Sequence, residues 1–193
     1  MSTFLISDTH WGHGAIIRMC GRPFADVHEM DGVMVESWNA TVRPEDTVIH
    51  LGDFAHRYDA AKLPKLFASL NGHKHLVKGN HDSAATLALP WESVRDIAYV
   101  SIDSQNLVLC HYAMRTWPRI RKGALMLYGH SHGRLPGNVQ SCDIGVDVFG
   151  FAPVRLNVIK SYLSTLPLMD DPEARDEIAS DEGLKPSRAA ADW

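Results

Sequence analysis

Five short apolar runs in this chain end in the same way, in a burst of aspartate, histidine or asparagine. Thr3-Phe4-Leu5-Ile6-Ser7 runs into Asp8-Thr9-His10, and Thr47-Val48-Ile49-His50-Leu51 into Gly52-Asp53. His75-Leu76-Val77-Lys78 runs into Gly79-Asn80-His81-Asp82. Asn106-Leu107-Val108-Leu109-Cys110 meets His111, and Leu125-Met126-Leu127-Tyr128 meets Gly129-His130-Ser131-His132. Short apolar runs closed by turn residues predict buried strands. Gly79-Asn80 is a bend signal, so that strand should stop there and present its polar side chains at the rim of a sheet.

The stretches between the runs are helical in pattern. Asp26 opens a helix with Val27, Met30, Val33, Met34 and Trp38 on one face, and Asp26 with Glu29 has the spacing of a capping box. Asp59 is the expected N-cap of a second helix with Leu63, Leu66, Phe67 and Leu70 on one side, although Pro64 sits in its early turns. Asn71-Gly72 should end it. A short periodic segment through Ile16, Ile17 and Met19 breaks at Gly21-Arg22-Pro23, and residues 83–89 read as another short helix. Further strands are expected near 97–102, over Asp143–Val148 and over Val154–Ile159, the last two as a hairpin pair. Strands alternating with helices in the first half predict a parallel α/β sheet. In such sheets ligands bind outside the carboxyl ends of the strands, where all five bursts fall.

The chain has 193 residues, which predicts one domain over 1–166 and an acidic, partly ordered tail over 167–193. The formal charge is -4, but residues 167–193 hold eight acids and three bases, so that segment is at -5 and the remaining 166 residues are at +1. No global basic excess points to long-range capture of nucleic acid. Three widely spaced cysteines, Cys20, Cys110 and Cys142, make neither a disulfide framework nor a Cys-rich zinc site. With no signal-peptide pattern and no apolar run near the ~18 residues that span a bilayer, the expectation is a cytoplasmic protein that does not enter a membrane.

Asp8-x-His10 and His130-x-His132 have i, i+2 spacing, so on extended backbone each pair points to one face and can grip one ion. Oxygen and imidazole donors without thiolate suit manganese, iron or zinc with room for water and substrate. Two cations need about this many ligands, with one carboxylate shared between them, and a pair ~3.5–4 Å apart is the clamp used for in-line displacement at phosphorus.

The order Asp-x-His, Gly-Asp, Gly-Asn-His-Asp, His, Gly-His-x-His across residues 8–132 resembles the calcineurin-like metallophosphoesterase superfamily. Ser7-Asp8-Thr9-His10-Trp11-Gly12-His13, Arg22-Pro23-Phe24, Trp38-Asn39 and Gly145-Val146-Asp147 before Pro153 are similar to its small bacterial and phage members, to about residue 160. The resemblance implies a four-layer α/β/β/α sandwich of two mixed β-sheets flanked by helices. It implies that Asp8, His10 and His132 hold one metal, that Asn80, His111 and His130 hold a second, and that Asp53 bridges them. A hydroxide between the metals would attack phosphorus. His81 would stand beside the leaving oxygen, and Asp82 would orient it by accepting its ring N–H.

The implied cofactors are two divalent ions, manganese ahead of iron, zinc, nickel or magnesium. The implied partner is a small phosphoester, with a nucleotide or nucleic-acid end included. A phosphodiesterase is the first reading. A phosphomonoesterase or nucleotide hydrolase, and a non-catalytic metal-bound scaffold, are the alternatives.

Three further residues are substrate candidates. His13 reads equally as an exposed loop histidine or as a contact to a substrate phosphate. Arg22 reads as a substrate contact, as packing on Trp38, or as one half of an ion pair. Arg115 opens the basic run to Lys122, which suits either a nucleotide grip or a solvated loop. His50, inside an apolar strand, reads as a core histidine bonded to a neighbour.

Overall fold

The computed structural model describes residues 1–169. Its first sheet contains β1 (Thr3–Ile6), β2 (Thr47–His50), β3 (His73–Val77), β4 (Ser93–Arg95) and β9 (Val154–Arg155), in the order β4-β3-β2-β1-β9. β1 to β4 are parallel and β9 is antiparallel to β1. The second sheet contains β5 (Ile97–Ile102), β6 (Gln105–Cys110), β7 (Leu125–Tyr128) and β8 (Ser141–Asp143), in the order β5-β6-β7-β8. β5 and β6 form a hairpin through Asp103 and Ser104, both left-handed, and β6, β7 and β8 are parallel. Two mixed sheets with helices are therefore present, as the family resemblance implied.

Register decides where the polar bursts go. Ile6 pairs with His50, and His50 with Leu76, so β1, β2 and β3 end side by side. Leu109 pairs with Leu127 and Tyr128 with Asp143, which aligns the ends of β6, β7 and β8. The Ser7–Gly145 bridge and the Val146 N–H bonded to the Ser7 carbonyl tie the two sheets at this edge.

Alternation within the strands makes two cores. Phe4, Ile6 and Val48 face a layer built from α1 (Gly14–Cys20), α2 (Val27–Thr41) and α3 (Leu63–Ser69), through Ile16, Met30, Met34, Trp38, Leu63, Leu66 and Phe67. Leu5, Ile49 and Val77 face the other way, against Leu107, Leu109, Leu125 and Leu127 of the second sheet. α6 (Leu156–Leu163) adds Leu156, Ile159 and Leu163 to this inter-sheet core. The far face of the second sheet, with Val108, Met126 and Tyr128, is covered by Trp117, Ile120 and Ala124. That cover is a loop with one 3-10 turn at Ile120–Lys122.

Local chemistry explains the helix ends. The Asp26 carboxylate accepts the N–H groups of His28 and Glu29, and the Glu29 carboxylate reaches back to the N–H of Ala25. This is a capping box displaced by one residue. Asp59 is not an N-cap. Its carboxylate accepts the Ala61 N–H and its carbonyl those of Lys62 and Leu63, and the helix begins only at Leu63, with Pro64 in its first turn. The expected short helix over 83–89 is α4 (Ala84–Leu87), capped by Ser83.

Three sequence expectations need correction. The strand expected over Asp143–Val148 ends at Asp143, and Gly145 leads into a helical turn, α5 (Val146–Phe149). Val154–Ile159 is strand for two residues only; α6 then buries Leu156, Ile159 and Leu163 at helical spacing and leaves Val158 exposed. A six-residue window fits both periods, and burial against the inter-sheet core selects the helical one. β8 and β9 also lie in different sheets, so they are no hairpin. β4, with no continuous apolar run, has no strand signal in the sequence. Of the tail expected from 167, only three residues are described. The Pro167 carbonyl accepts the Val139 N–H, and Met169 packs on the Trp117 cluster.

Trp38 is buried and donates its indole N–H to the Asn71 carbonyl at 2.9 Å, whereas Val33, placed on the same face by pattern, is 39% exposed. Trp38→Ala should cost ~3–5 kcal/mol in urea unfolding, and Val33→Ala should stay within about 0.5 kcal/mol. Equal costs would contradict this packing.

Candidate metal centre

The loops after the strands are laid on one another by backbone bonds. The Asp8 N–H donates to the Gly52 carbonyl, His10 to Asp53 and Trp11 to Phe54, each at 3.0 Å. The loop after β3 is fixed by Asp82. One carboxylate oxygen accepts the N–H groups of Gly79 at 2.7 Å and Asp53 at 3.1 Å, and the other accepts that of Phe54 at 2.9 Å. The expectation that Asp82 orients the His81 ring is therefore corrected: its oxygens are occupied by main-chain donors. Gly52 and Gly79 allow this contact. A Cβ on Gly79 would lie 2.3 Å from the Asp53 carboxylate, and one on Gly52 would lie 2.5 Å from the Gly79 nitrogen.

Asp8, His10, Asp53, His130 and His132 all have φ between 49° and 66°. Left-handed backbone is uncommon for residues other than glycine and gathers at functional sites, where surrounding structure holds it. Here the twist turns each side chain inward from the strand end.

The structure brings seven sequence-selected residues together. Ligand atoms of Asp8, His10 and His132 lie within 4.8 Å of one another, as do those of Asp53, His111 and His130. Asp53 Oδ2 stands 3.5 Å from His10 Nε2 and 3.4 Å from His111 Nε2, between the two groups. Its Oδ1 accepts the His81 N–H at 2.8 Å. Asn80 places its amide oxygen 3.0 Å from His111 Nε2. His111 donates Nδ1–H to the Leu51 carbonyl at 2.8 Å, and His132 donates Nδ1–H to Asp147 at 2.7 Å. These bonds direct both Nε2 atoms into the centre. His10 is buried and neither of its ring nitrogens has a hydrogen-bond partner. A buried imidazole left unpartnered fits a cation site.

The charges agree with the geometry. Burial pushes Asp8 up to about 7, against the pull of His132 and His111. Burial brings His10 down to about 2, so it is neutral and its lone pair is available. Burial would raise Asp53, but the His111 hydrogen bond and charge and the His81 amide outweigh it and hold the carboxyl below its ordinary range. His111 and His132 are displaced upward, because Asp53 and Asp147 respectively outweigh burial. In the protein without cations, protons thus sit where positive charge is favoured.

Arg22 is corrected from a substrate contact to a buried support. Its side chain has no exposed surface. It pairs through two nitrogens with both Asp147 oxygens at 2.8 and 2.9 Å, and donates to the carbonyls of Asp8 and Thr9. The ion-pair alternative read from the sequence is the one realised, and Asp147, which no sequence reading gave a role, links Arg22 to His132. His50 is buried, its Nε2 lying 3.0 Å from the Thr9 hydroxyl, as expected of a core histidine. His13 is half-buried at the rim, its ring 5.4 Å from that of His10 and 4.4 Å from that of His56. Arg115 is exposed on the loop after His111. His56, on the loop after β2, lies 4.5 Å ring to ring from His81.

Arg22→Met leaves the Asp147 carboxylate buried with one partner fewer. It should lower unfolding free energy by roughly 3–5 kcal/mol, the usual result of breaking a buried pair from one side. Chemical denaturation reads this directly, and a loss below about 1 kcal/mol, typical of a surface pair, would contradict the burial described.

The calcineurin-like phosphoesterase superfamily domain model matches residues 1–144. An uncharacterized protein of Methanocaldococcus jannaschii is 31% identical over 164 residues, covering 81% of this chain and 88% of its own. The gene 66 protein of Mycobacterium phage D29 is 27% identical over 184 residues, covering 77% of this chain and 89% of its own. A crystal structure of a protein of unknown function from Aquifex aeolicus superposes with a TM-score of 0.64 at 23% identity, over 83% of this chain and 98% of that one, and shows the same fold. With the domain model spanning all five polar bursts, the chain belongs to the calcineurin-like phosphoesterase superfamily, and it is a metal-dependent hydrolase of phosphoester bonds.

Proposed function

We propose that this protein is a phosphodiesterase with a two-cation centre. The observation that carries the reading is the Asp53 carboxylate, which reaches toward His10 on one side and His111 on the other. Asp8, His10 and His132 would hold one ion, Asn80, His111 and His130 the other, with Asp53 shared between them. Divalent cations there supply Lewis-acid polarisation of the phosphoryl group and activation of water. Manganese suits this oxygen and imidazole set.

The chain's own residues do the rest. His81 is exposed at the rim while its main chain is tied to Asp53, so its ring is free to meet a leaving oxygen. The diester preference rests on charge. Hydrolysis of a dianionic monoester calls for additional cations around the phosphate, and Arg22 is committed to Asp147 beneath the centre. A diester carries one charge fewer. Among the described residues no helix is long and apolar enough to cross a membrane.

Chelated protein refilled with Mn²⁺ should hydrolyse bis(p-nitrophenyl) phosphate faster than p-nitrophenyl phosphate, and the metal-free protein should do neither. Turnover of the monoester alone would replace this reading with a phosphomonoesterase. His81→Ala should keep both ions and lose about 10²–10⁴ in kcat on a diester with a poor leaving group, the usual worth of a general acid. Unchanged turnover there would remove His81 from the chemistry.

Cation uptake should also release protons. Asp8, His111 and His132 have raised pKa values, so at pH 6 each retains a proton that a cation displaces. Above about 7, Asp8 is already ionised and its share of the release disappears. Calorimetry of Mn²⁺ binding in buffers of differing ionisation enthalpy should therefore show more protons released at pH 6 than at pH 8.5. The same number at both would contradict the ligand role of Asp8.

A further inference from the structure

His81 lacks the partner that the Gly-Asn-His-Asp order suggests. Asp82 is spent on three main-chain N–H groups, and no hydrogen bond among the described residues reaches the His81 ring. An exposed imidazole with two free torsions loses orientation unless something packs on it. Here two rings do. His56 meets it edge to face, with centroids 4.5 Å apart and planes at 74°. His10 lies 5.5 Å away, with its ring 6.4 Å from that of His56. Aromatic pairs at such distances and tilts attract one another. His56 is itself backed by His13, at 4.4 Å and 54°.

The scaffold behind this wall is firm. The His56 N–H donates to the Trp11 carbonyl at 3.1 Å, and Trp11 bridges Ala55. The loop after β2 is thereby fixed to the loop after β1, which carries His13. The Tyr58 ring lies against Gly12, where an added Cβ would come within 2.6 Å of it. His56 thus stands on the same rigid turn that supplies Asp53, three residues earlier.

We propose that His56, backed by His13, is the positioning residue for His81: its ring, packed against the imidazole, fixes it in the orientation that delivers a proton to the departing oxygen. This rests on the reading of His81 as the proton donor. The proton moves from His81 to the leaving alkoxide as the P–O bond breaks, and solvent restores it. His56 exchanges no proton in this scheme; it supplies a surface. Misplacing a catalytic group by about 1 Å can cost 10²-fold, so the wall should be visible in rate.

The test compares wild type, His81→Ala, His56→Ala and His56→Phe, each loaded with Mn²⁺ and checked for fold by thermal melting. Substrates are two methyl aryl phosphodiesters, one releasing p-nitrophenolate and one releasing unsubstituted phenolate. p-Nitrophenolate leaves with little need for a proton and phenolate needs one. His56→Ala should lower kcat on the phenyl ester roughly 10- to 10²-fold, with a much smaller loss on the nitrophenyl ester and little change in KM. His56→Phe keeps a ring and should recover most of the phenyl-ester rate.

Loss of equal size on both esters, or no loss, overturns the positioning role. So does failure of His56→Phe to recover the rate in a protein that melts normally. Should His81→Ala itself turn over the phenyl ester like wild type, the proton-donor reading fails first, and that outcome is distinct from a normal His81 effect without a His56 effect.

Discussion

One carboxylate under the centre holds its geometry together. Asp82 takes main-chain donors from two different loops, those after β2 and β3. Each of these N–H groups sits at the end of a strand, where the sheet no longer supplies an acceptor. Satisfying them with one ionic side chain locks the strand ends at fixed separation, and charge-assisted bonds of this kind are roughly twice as strong as neutral ones. The glycines at 52 and 79 follow from the same constraint, because any side chain there would separate the loops. Asp53 inherits its position from this arrangement, and with it the gap between His10 and His111.

A second level of support surrounds the first. Asp147 accepts from both His132 and Arg22, while Arg22 also caps the carbonyls of Asp8 and Thr9. Asp143 does similar work on the neighbouring loop, accepting from the Ser131 hydroxyl and from the N–H groups of Gly133 and Gly145. Each buried charge is thus answered by a local partner, the condition under which burial of charge is tolerated. In the interior of the centre, the neutral His10 ring is left without a hydrogen-bond partner.

Much of this was legible from the chain. Strand ends that finish in Asp, His and Asn are conspicuous against apolar runs, and parallel pairing in aligned register brings them to one edge. The supporting residues were less visible for definite reasons. Asp82 follows His81 directly, so a side-chain partner was the natural reading, yet its acceptors are used by backbone groups that have no letter in a sequence. Arg22 and Asp147 are 125 positions apart, and only the fold places them together. His56 lies in a loop without periodicity, and its neighbour His81 arrives from another strand. The misread stretch at 154–159 is short enough to satisfy strand and helix periods alike, and only its packing against the inter-sheet core separates them.

The distribution of the site along the chain has a consequence for how the protein is made. The first candidate ligand, Asp8, and the buttress at Asp147 bracket most of the described residues, and the β1 edge is completed only by β9 at Val154–Arg155. Contacts of such sequence separation form late, because the intervening chain must first be ordered. During synthesis the ribosome therefore releases an incomplete set of ligands for most of translation. Residues 8–111 emerge with Asp8, His10, Asp53, Asn80 and His111 but without His130, His132 and Asp147, so both clusters of candidate ligands are complete only once most of the chain has been made.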